Sequence, residues 1–249
     1  MLLRAASDTR PYHLGPFPME VLPRDERVRR QEAERTASPM DKQEAAPQSE
    51  FAIAVQRYQA LFDSLADGAP AAAKAPVPDD LARRSVDIKG GGYFLNAAQI
   101  GICRMPASAW LAAAPSQDQT FAIVVAVEHG RPPEDDNPAA TWTEGCGPMA
   151  ADMRAGEIAC CLAGYVRQLG FAATAHSASQ TAVDFGCLAV LAGVAVRRED
   201  KLVHPFLEQR YSLAAVTTEY ALDEDAPLAE DADGVNGLHY WLGINGAES

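Results

Sequence analysis

The chain has 249 residues, of which 48% are hydrophobic, and its formal net charge is −13 at pH 7. A chain of this length and apolar content can bury a complete core. The negative charge argues against a nucleic acid or an anionic membrane as partner, because their phosphates would be repelled. No window reaches the roughly 20 apolar residues of a membrane span, and the N-terminal sequence lacks the apolar centre of an export signal. We therefore expect a cytoplasmic protein.

Residues 1–50 are predicted to form an extended N-terminal arm. Four prolines between positions 11 and 23 interrupt regular structure, and the charged run 24–35 predicts one short exposed helix. The segment 12–20, YHLGPFPME, has apolar side chains without periodicity. It would serve as a strap packed across a domain; the alternative is a disordered tail. The apolar anchors of the strap are Leu14, Phe17 and Met19.

Residues 51–80 are predicted to form a helix and a linker. Apolar side chains recur at helical spacing within 50–67, and Gly68 is a typical helix stop. The stretch 69–80, APAAAKAPVPDD, has the composition of a linker. The recurring apolar positions are Ile53, Tyr58, Leu61, Phe62 and Leu65.

Residues 81–230 are predicted to form one α+β domain with a mixed central sheet covered by helices. Helices and strands are interspersed without strict alternation, which favours this class over a doubly wound parallel sheet. The run AIVVAV at 122–127 is typical of a strand covered on both faces. The other predicted elements are a helix over 81–97, a strand over 99–103, a helix over 148–169 ended by Gly170, a strand over 172–176, a helix over 183–195 and a strand over 213–220.

The apolar strand and two apolar helices predict the core of this domain. The helix over 148–169 presents an apolar stripe, and Gly90-Gly91-Gly92 lacks the spacing of a phosphate-binding loop, so it indicates close packing or a helix break. The stripe consists of Ile158, Cys161, Leu162, Tyr165 and Leu169. The residues predicted to be deeply buried are Ile123, Val124, Val125, Ile158, Leu162, Leu188, Leu191 and Val216.

The cysteines and histidines predict no metal site. The five cysteines are odd in number and scattered, which argues against a disulfide framework, and they lack the close spacing of a ferredoxin cluster. We interpret Cys160 and Cys161, inside the long helix, as buried small hydrophobic residues rather than redox groups. His176 and His204 belong to no metal-binding spacing. The cysteines are Cys103, Cys146, Cys160, Cys161 and Cys187.

Two acidic runs and one Lys–Tyr pair are further candidates. The acidic runs are Asp135-Asp136 and Asp223-Glu224-Asp225, which could act as calcium ligands or as paired acids. They lack the alternating spacing of a calcium-binding loop and are typical of solvated faces. Lys89 and Tyr93 are four residues apart and could meet on a helix face, or simply form its amphipathic surface. We assign no catalytic residue, no metal ligand and no cofactor-binding residue from the sequence.

Residues 182–229 resemble the cobalamin-handling half of reductive dehalogenases and epoxyqueuosine reductases. Those families have an AxLAGLG-type helix, a loop containing His-Pro and a strand that ends near a DxPL-type sequence. The strap is similar to the HLGPFPxE opening of the cytoplasmic reductive dehalogenases. The matching pieces here are Leu188 to Gly193, Leu202 to Phe206 and Val216 to Leu228.

The resemblance implies a nitroreductase-like α+β sandwich that forms the N-terminal half of such an enzyme. The complete enzymes reduce carbon–halogen bonds with cobalamin and two 4Fe–4S clusters. Because the cluster cysteines are missing here, we expect a cofactorless structural half or separate subunit that is inactive alone. Its partner would be the catalytic half or subunit, which holds the cofactors, and self-association into a homo-oligomer stays open. Residues 231–249 would form a connecting segment, with His239 to Ile244 as the contact.

Two other functions stay open. The first is a corrinoid carrier or B12-processing protein of the same fold. The second is a flavin enzyme of the nitroreductase type, although no flavin-phosphate motif supports it. His204, in the His-Pro-Phe loop, is interpreted as fixing that loop through a hydrogen bond.

Overall fold

A four-stranded sheet lies at the centre of the computed structural model, which describes residues 10–39, 49–111 and 118–234. Its strands are β1 (Gln99–Arg104), β2 (Phe121–Glu128), β3 (Ala173–His176) and β6 (Tyr211–Thr218). A separate hairpin consists of β4 (Val196–Arg198) and β5 (Lys201–Val203). The order in the central sheet is β1–β2–β6–β3, and every neighbouring pair is antiparallel.

Helices cover both faces of this sheet. They are α1 (Glu26–Ala33), α2 (Glu50–Asp63), α3 (Leu81–Phe94), α4 (Ala139–Thr143), α5 (Cys146–Gln168) and α6 (Phe185–Leu191). Helix α5 packs against β2, β3 and β6, and α2 packs on α5. Helix α6 covers the other face, and α1 packs on α6. The predicted α+β class is confirmed.

The prediction of a mixed sheet is wrong, because no two neighbouring strands of the described sheet run in the same direction. Helix α5 connects β2 to β3, and these strands are parallel to each other. They are not neighbours, since β6 lies between them in the opposite direction. Val216 of β6 pairs with Ile123 on one side and with Ala175 on the other. The sheet therefore has only antiparallel ladders among the described residues.

Strand β2 is buried on both faces, as its unbroken apolar sequence predicts. Successive side chains of a strand point to opposite faces. Ile123 and Val125 belong to the core beside α5, whereas Ala122 and Val124 belong to the core beside α6. The eight residues predicted to be deeply buried are all at most 3% exposed, which confirms that prediction.

Helix α5 ends at the glycine that the sequence predicts. Gly170 has a φ of 86°, its N–H donates to the Arg167 carbonyl and the Phe171 N–H donates to the Val166 carbonyl. This is the Schellman arrangement, which a left-handed glycine favours. The buried stripe differs from the prediction, because Cys161 and Tyr165 are exposed. Consecutive residues of a helix point about 100° apart, so Cys160 and Cys161 cannot share one narrow buried face.

Helix α2 is present, but most of its large apolar side chains face outward. Ala52 and Val55 are buried and face the core, together with the half-buried Phe62. Four of the five predicted positions are exposed by 41–60% of their surface, namely Ile53, Tyr58, Leu61 and Leu65. The periodicity indicated a helix correctly, yet the smaller residues on the opposite side form the packed face.

The arm contains regular structure that its prolines did not predict. One-turn 3-10 helices occupy Tyr12–Leu14 and Met19–Val21, each preceded by a proline. Helix α1 follows within the run 24–35, where the sequence predicted a short exposed helix, although its Val28 and Glu32 are buried. Proline is compatible with the start of a helical turn because its missing N–H would have no partner there. Met19 is buried in a small cluster with Leu228, so the described part of the strap is packed against the domain.

The β4–β5 hairpin is absent from the sequence-based prediction. Its two-residue turn consists of Glu199 and Asp200, which both have positive φ angles of 47° and 64°. Two successive positive φ values define the hairpin turn that matches strand twist, and this turn usually contains Asn or Gly. The pair Glu-Asp gives no such signal in the sequence.

We predict that Gly15→Ala destabilises the protein by about 1–3 kcal/mol. Gly15 has a φ of 72°, and a Cβ atom there would overlap the Tyr93 ring. Gly90→Ala is the matched control, because Gly90 lies inside α3 with open space around the position of a Cβ atom. It should stabilise the helix by up to about 1 kcal/mol. Urea denaturation of both variants measures the difference, and equal midpoints for Gly15→Ala and the wild type would contradict the prediction.

Candidate functional site

A cavity of about 640 Å³ lies beneath the strap and the two residues that precede it, Arg10 and Pro11. We call it the strap cavity. Its walls come from the strap, from Tyr93 in the last turn of α3 and residues 96–98 after it, and from residues 127–131 at the end of β2. Arg154 of α5 and Arg210, just before β6, complete the lining. The volume is in the range of small-molecule binding sites.

Four arginines make the strap cavity electropositive in a chain with a net charge of −13. Among the described residues, Glu128 is the one carboxylate that lines it. His129 also lines the cavity, and burial lowers the pKa of its imidazole. This ring therefore adds no charge at pH 7. The arginines are Arg10, Arg131, Arg154 and Arg210.

The His-Pro-Phe loop lies next to the strap cavity, and Phe17 connects the two. Phe17 lines the cavity and stacks on Phe206 with 5.2 Å between ring centroids. Its ring also meets His204 edge-on at 5.4 Å. The Nδ1 atom of the buried His204 accepts hydrogen bonds from the backbone N–H groups of Phe206 and Leu207, both at 3.2 Å. The interpretation of His204 as a loop-fixing residue is confirmed.

Both buried histidines are neutral at pH 7. Burial lowers the pKa of His204 to about 3 and that of His176 to about 4. His176 lies 2.9 Å from the Thr217 hydroxyl through Nε2, and its Nδ1 accepts the Ala182 N–H at 3.4 Å. Both ring nitrogens of His176 are therefore hydrogen-bonded within the fold.

The run Asp223-Glu224-Asp225 holds the edge of the sheet. Asp225 pairs with Lys89 at 2.6 Å, and its other carboxylate oxygen accepts the Ile102 N–H of edge strand β1 at 2.8 Å. Its own N–H donates to the Ile102 carbonyl. Glu224 pairs with Arg29 at 2.7 Å. These carboxylates therefore connect the arm, α3 and β1, and they protect an open strand edge.

The remaining candidates are not brought together. Lys89 pairs with Asp225, whereas the hydroxyl of the buried Tyr93 accepts the Ile100 N–H at 3.2 Å. Asp135 and Asp136 are exposed. In the described part of the chain, no three His, Cys, Asp or Glu side chains converge on a point where a metal ion could bind.

The cysteines do not fit an iron–sulfur cluster. Such a cluster needs converging thiolates, but the buried thiols face separate backbone carbonyls. Cys160 donates to Phe62 at 3.2 Å and Cys187 to Glu32 at 3.8 Å. Burial raises the pKa of Cys160 to about 11 and that of Cys187 to about 12, so both stay protonated at neutral pH.

The strap cavity itself was missed in the sequence. Its arginines lie at positions 10, 131, 154 and 210, so successive ones are separated by 23 to 121 positions along the chain, and they form no motif. The strap sequence was the one usable signal, since it indicated a packed segment.

No helix within the described ranges combines the length and the apolar content that crossing a membrane requires. No protein-family model matches the chain, and no curated protein sequence matches it either.

The fold and the packed strap define the structural class of the protein, which is an α+β sandwich in which the strap contacts the His-Pro-Phe loop. A structure of the catabolic reductive dehalogenase NpRdhA is 38% identical over 94% of this chain, with a TM-score of 0.82. A reductive dehalogenase structure that suggests a mechanism for B12-dependent dehalogenation matches 96% of the chain with the same identity and TM-score. The chain is therefore related to the reductive dehalogenases, and it spans 33% of the length of these two proteins.

Two further structures resemble the chain to different degrees. NpRdhA in complex with 3-bromo-4-hydroxybenzoic acid matches 96% of the chain at 38% identity, with a TM-score of 0.82, and the match spans 33% of NpRdhA. Epoxyqueuosine reductase is 12% identical over 60% of this chain and 49% of its own, with a TM-score of 0.48. That similarity is too low to carry an argument.

We predict that His204→Asn flattens the pH dependence of stability. Because the folded pKa of His204 is lowered from 6.5 to about 3, the unfolded chain binds a proton that the folded chain does not bind. His204 therefore stabilises the fold above about pH 6.5, and this contribution is lost as the pH falls toward 3. Between about pH 4 and 6, the variant should lose about 1.4 kcal/mol less per pH unit than the wild type. Urea denaturation at several pH values tests this, and an unchanged slope would contradict it.

Proposed function

We propose that this chain is the N-terminal structural half, or a separate subunit, of a cobalamin- and iron–sulfur-dependent reductive dehalogenase that acts on organohalides. The observation that carries the proposal is the 38% identity over 94% of the chain to one third of NpRdhA. The chain alone offers no catalytic group in this proposal. The side chains that the sequence offered for chemistry, among them His176, His204 and Asp225, are held in structural contacts.

The cofactors belong to the rest of the enzyme in this proposal. The remainder carries cobalamin and two 4Fe–4S clusters, and this chain carries none. The protonated thiols of Cys160 and Cys187 support this assignment, because cluster ligands are thiolates that converge. The described cysteines are all free, which is consistent with the cytoplasm, where disulfides are rare. We place the enzyme there, without nucleic acid or membrane as partner.

Helix α2 supplies a surface for the catalytic remainder. Its outward stripe is spaced by three and four residues, which is the seam geometry of packed helices. The opposite face of α2 already packs on α5, so apart from the contact of Phe51 with Trp142 the stripe is not used for packing within the described residues. Apolar side chains aligned in this way are typical of an interface. The stripe consists of Phe51, Ala54, Tyr58 and Leu61 of α2 and of Leu65, two residues beyond the end of the helix.

The occupant we assign to this stripe is the catalytic part of the enzyme. The chain spans 33% of the related dehalogenase, so two thirds of such an enzyme lie beyond it and require a contact surface. Trp142 extends the apolar surface, since its ring meets Phe51 edge-on at 5.5 Å. The predicted contact segment from His239 to Ile244 lies outside the described residues.

Cofactor titration separates this function from the alternatives. We expect hydroxocobalamin and FMN to give no saturable spectral change with the purified chain, because the half that this chain resembles is expected to lack a cofactor and the sequence contains no flavin-phosphate motif. We also expect no dehalogenation when cobalamin and an artificial reductant are added. A perturbed corrinoid spectrum without turnover would favour a carrier, and a bound flavin would favour a flavin enzyme. Turnover by the chain alone would overturn the proposal.

We predict that Tyr58→Asp weakens binding to the catalytic part by at least about tenfold, or about 1.4 kcal/mol. The change introduces a charge in the stripe at a side chain that is 60% exposed, so the fold should stay intact. Gln56→Asp is the matched control, because Gln56 is an exposed residue of α2 outside the stripe. Its affinity should stay within about twofold.

The measurement uses two proteins expressed separately. One is this chain, and the other is a related reductive dehalogenase without the third that this chain matches. Association is measured by isothermal titration calorimetry. Equal affinities for the two α2 variants would assign the contact to another surface, and no association at all would contradict the proposed partnership.

A further inference from the structure

The fold neutralises the positive charge of the strap cavity only in part. Arg131 pairs with Glu134 at 2.9 Å, but both side chains are exposed, so solvent weakens that pair. Arg154 lies on the exposed side of α5, and it has no hydrogen-bond or ion-pair partner in the ranges that the structure describes. Arg210 is 3.7 Å from Glu128, with both side chains about half exposed, so solvent weakens that pair. Packing within the fold does not account for the guanidinium group of Arg154 or for that of Arg210.

Arg10 is different, because it is buried at the wall of the cavity. Its side chain is 8% exposed, and it donates to the Gly15 carbonyl at 3.0 Å and to Glu20 at 2.6 Å. These bonds fix the guanidinium and hold the turn of the strap. Its Nε–H is buried and has no acceptor among the described residues. A buried donor without an acceptor is costly and indicates a missing partner.

Apart from the arginines and the polar residues Asn96, Glu128 and His129, the cavity is lined mainly by apolar and aromatic side chains. The strap contributes Tyr12, Pro16 and Phe17, and the body of the domain contributes Ala97 and Val127. A ligand that fits this lining has an anionic group for the arginines and a compact apolar body for the remaining walls. An inorganic ion would leave much of the 640 Å³ without contact.

We propose that the strap cavity is a binding site for a small organic anion, a carboxylate or a phosphate ester, with Arg154 as its principal contact. A guanidinium binds either group through two parallel hydrogen bonds. The strap forms one wall of the site, so an occupied cavity also holds the strap in place. This site is independent of the proposed place of the chain in a dehalogenase.

Three probes of similar size test the site with the full 249-residue chain. Benzoate carries a carboxylate, phenyl phosphate carries a phosphate, and benzyl alcohol is the neutral counterpart of benzoate. At low salt, calorimetry should detect saturable binding of at least one anion, whereas benzyl alcohol should not bind. Stronger binding of benzoate or of phenyl phosphate identifies the anionic group. Raising the salt concentration to about 0.5 M should weaken the binding, because the guanidinium contacts are partly exposed.

Arg154→Gln should weaken binding of the preferred anion by at least about tenfold. Arg57→Gln is the matched control, since Arg57 is an exposed arginine of α2 outside the cavity and its loss changes the net charge equally. It should change the affinity by less than about twofold. Arg210→Gln is the second variant, with an expected weakening of about threefold or more if Arg154→Gln does not fold.

Three results would contradict the proposed binding site. The first is the absence of saturable binding of either anion. The second is equal binding of benzyl alcohol and benzoate, which would show that charge does not contribute. The third is equal affinity of the Arg154→Gln and Arg57→Gln variants, which would place the anion elsewhere on the surface.

Discussion

Strands β2 and β6 are covered by helices on both faces, and this double burial is the constraint on which the structure depends. Each strand must present apolar side chains in both directions, as Ile123 and Val124 do on neighbouring positions of β2. All eight residues of β6 are buried, including Thr217 and Thr218, whose hydroxyl groups are hydrogen-bonded. Burial of hydrogen-bonded strand backbone costs little, whereas an unpaired polar group there would cost about 1–3 kcal/mol. The helices on the two faces therefore have little freedom of position.

Charged side chains bind the N-terminal arm to this sandwich, through backbone carbonyl groups and through an ion pair. Arg24 donates to the carbonyls of Met19 and Ala226 at 2.8 and 2.7 Å, and burial lowers the pKa of its guanidinium. Glu32 of α1, which is buried, forms a bidentate pair with Arg197 of β4 at 2.8 and 3.0 Å. Removing one partner of such a pair would leave a buried charge without compensation. The arm is thus an integral part of the described fold, and the strap cavity exists because the arm is held there.

The two candidate contact surfaces of the molecule differ in chemistry. The stripe on α2 is apolar and suits a protein partner, whereas the strap cavity is cationic and suits a small anion. The stripe lies on the surface of α2, and the principal contact proposed for the strap cavity, Arg154, has no partner among the described residues. His176, His204 and Cys160, which offer more reactive chemistry, are buried instead, with pKa values shifted toward their neutral forms. In this protein, buried reactive side chains support structure, and exposed unreactive ones are available for binding.

The sequence by itself determined the main helices and the strands of the central sheet, together with the core residues, because these follow from local patterns. The apolar run of β2 predicted burial on both faces, and Gly170 predicted the end of α5 from its conformational freedom. Tertiary structure decided the rest. Periodicity in α2 reveals a helix but cannot tell which face packs, since that depends on the size of the partner surface on α5. The antiparallel order depends on where β6 inserts, and the strap cavity depends on arginines far apart in the chain, which only the folded structure brings to one place.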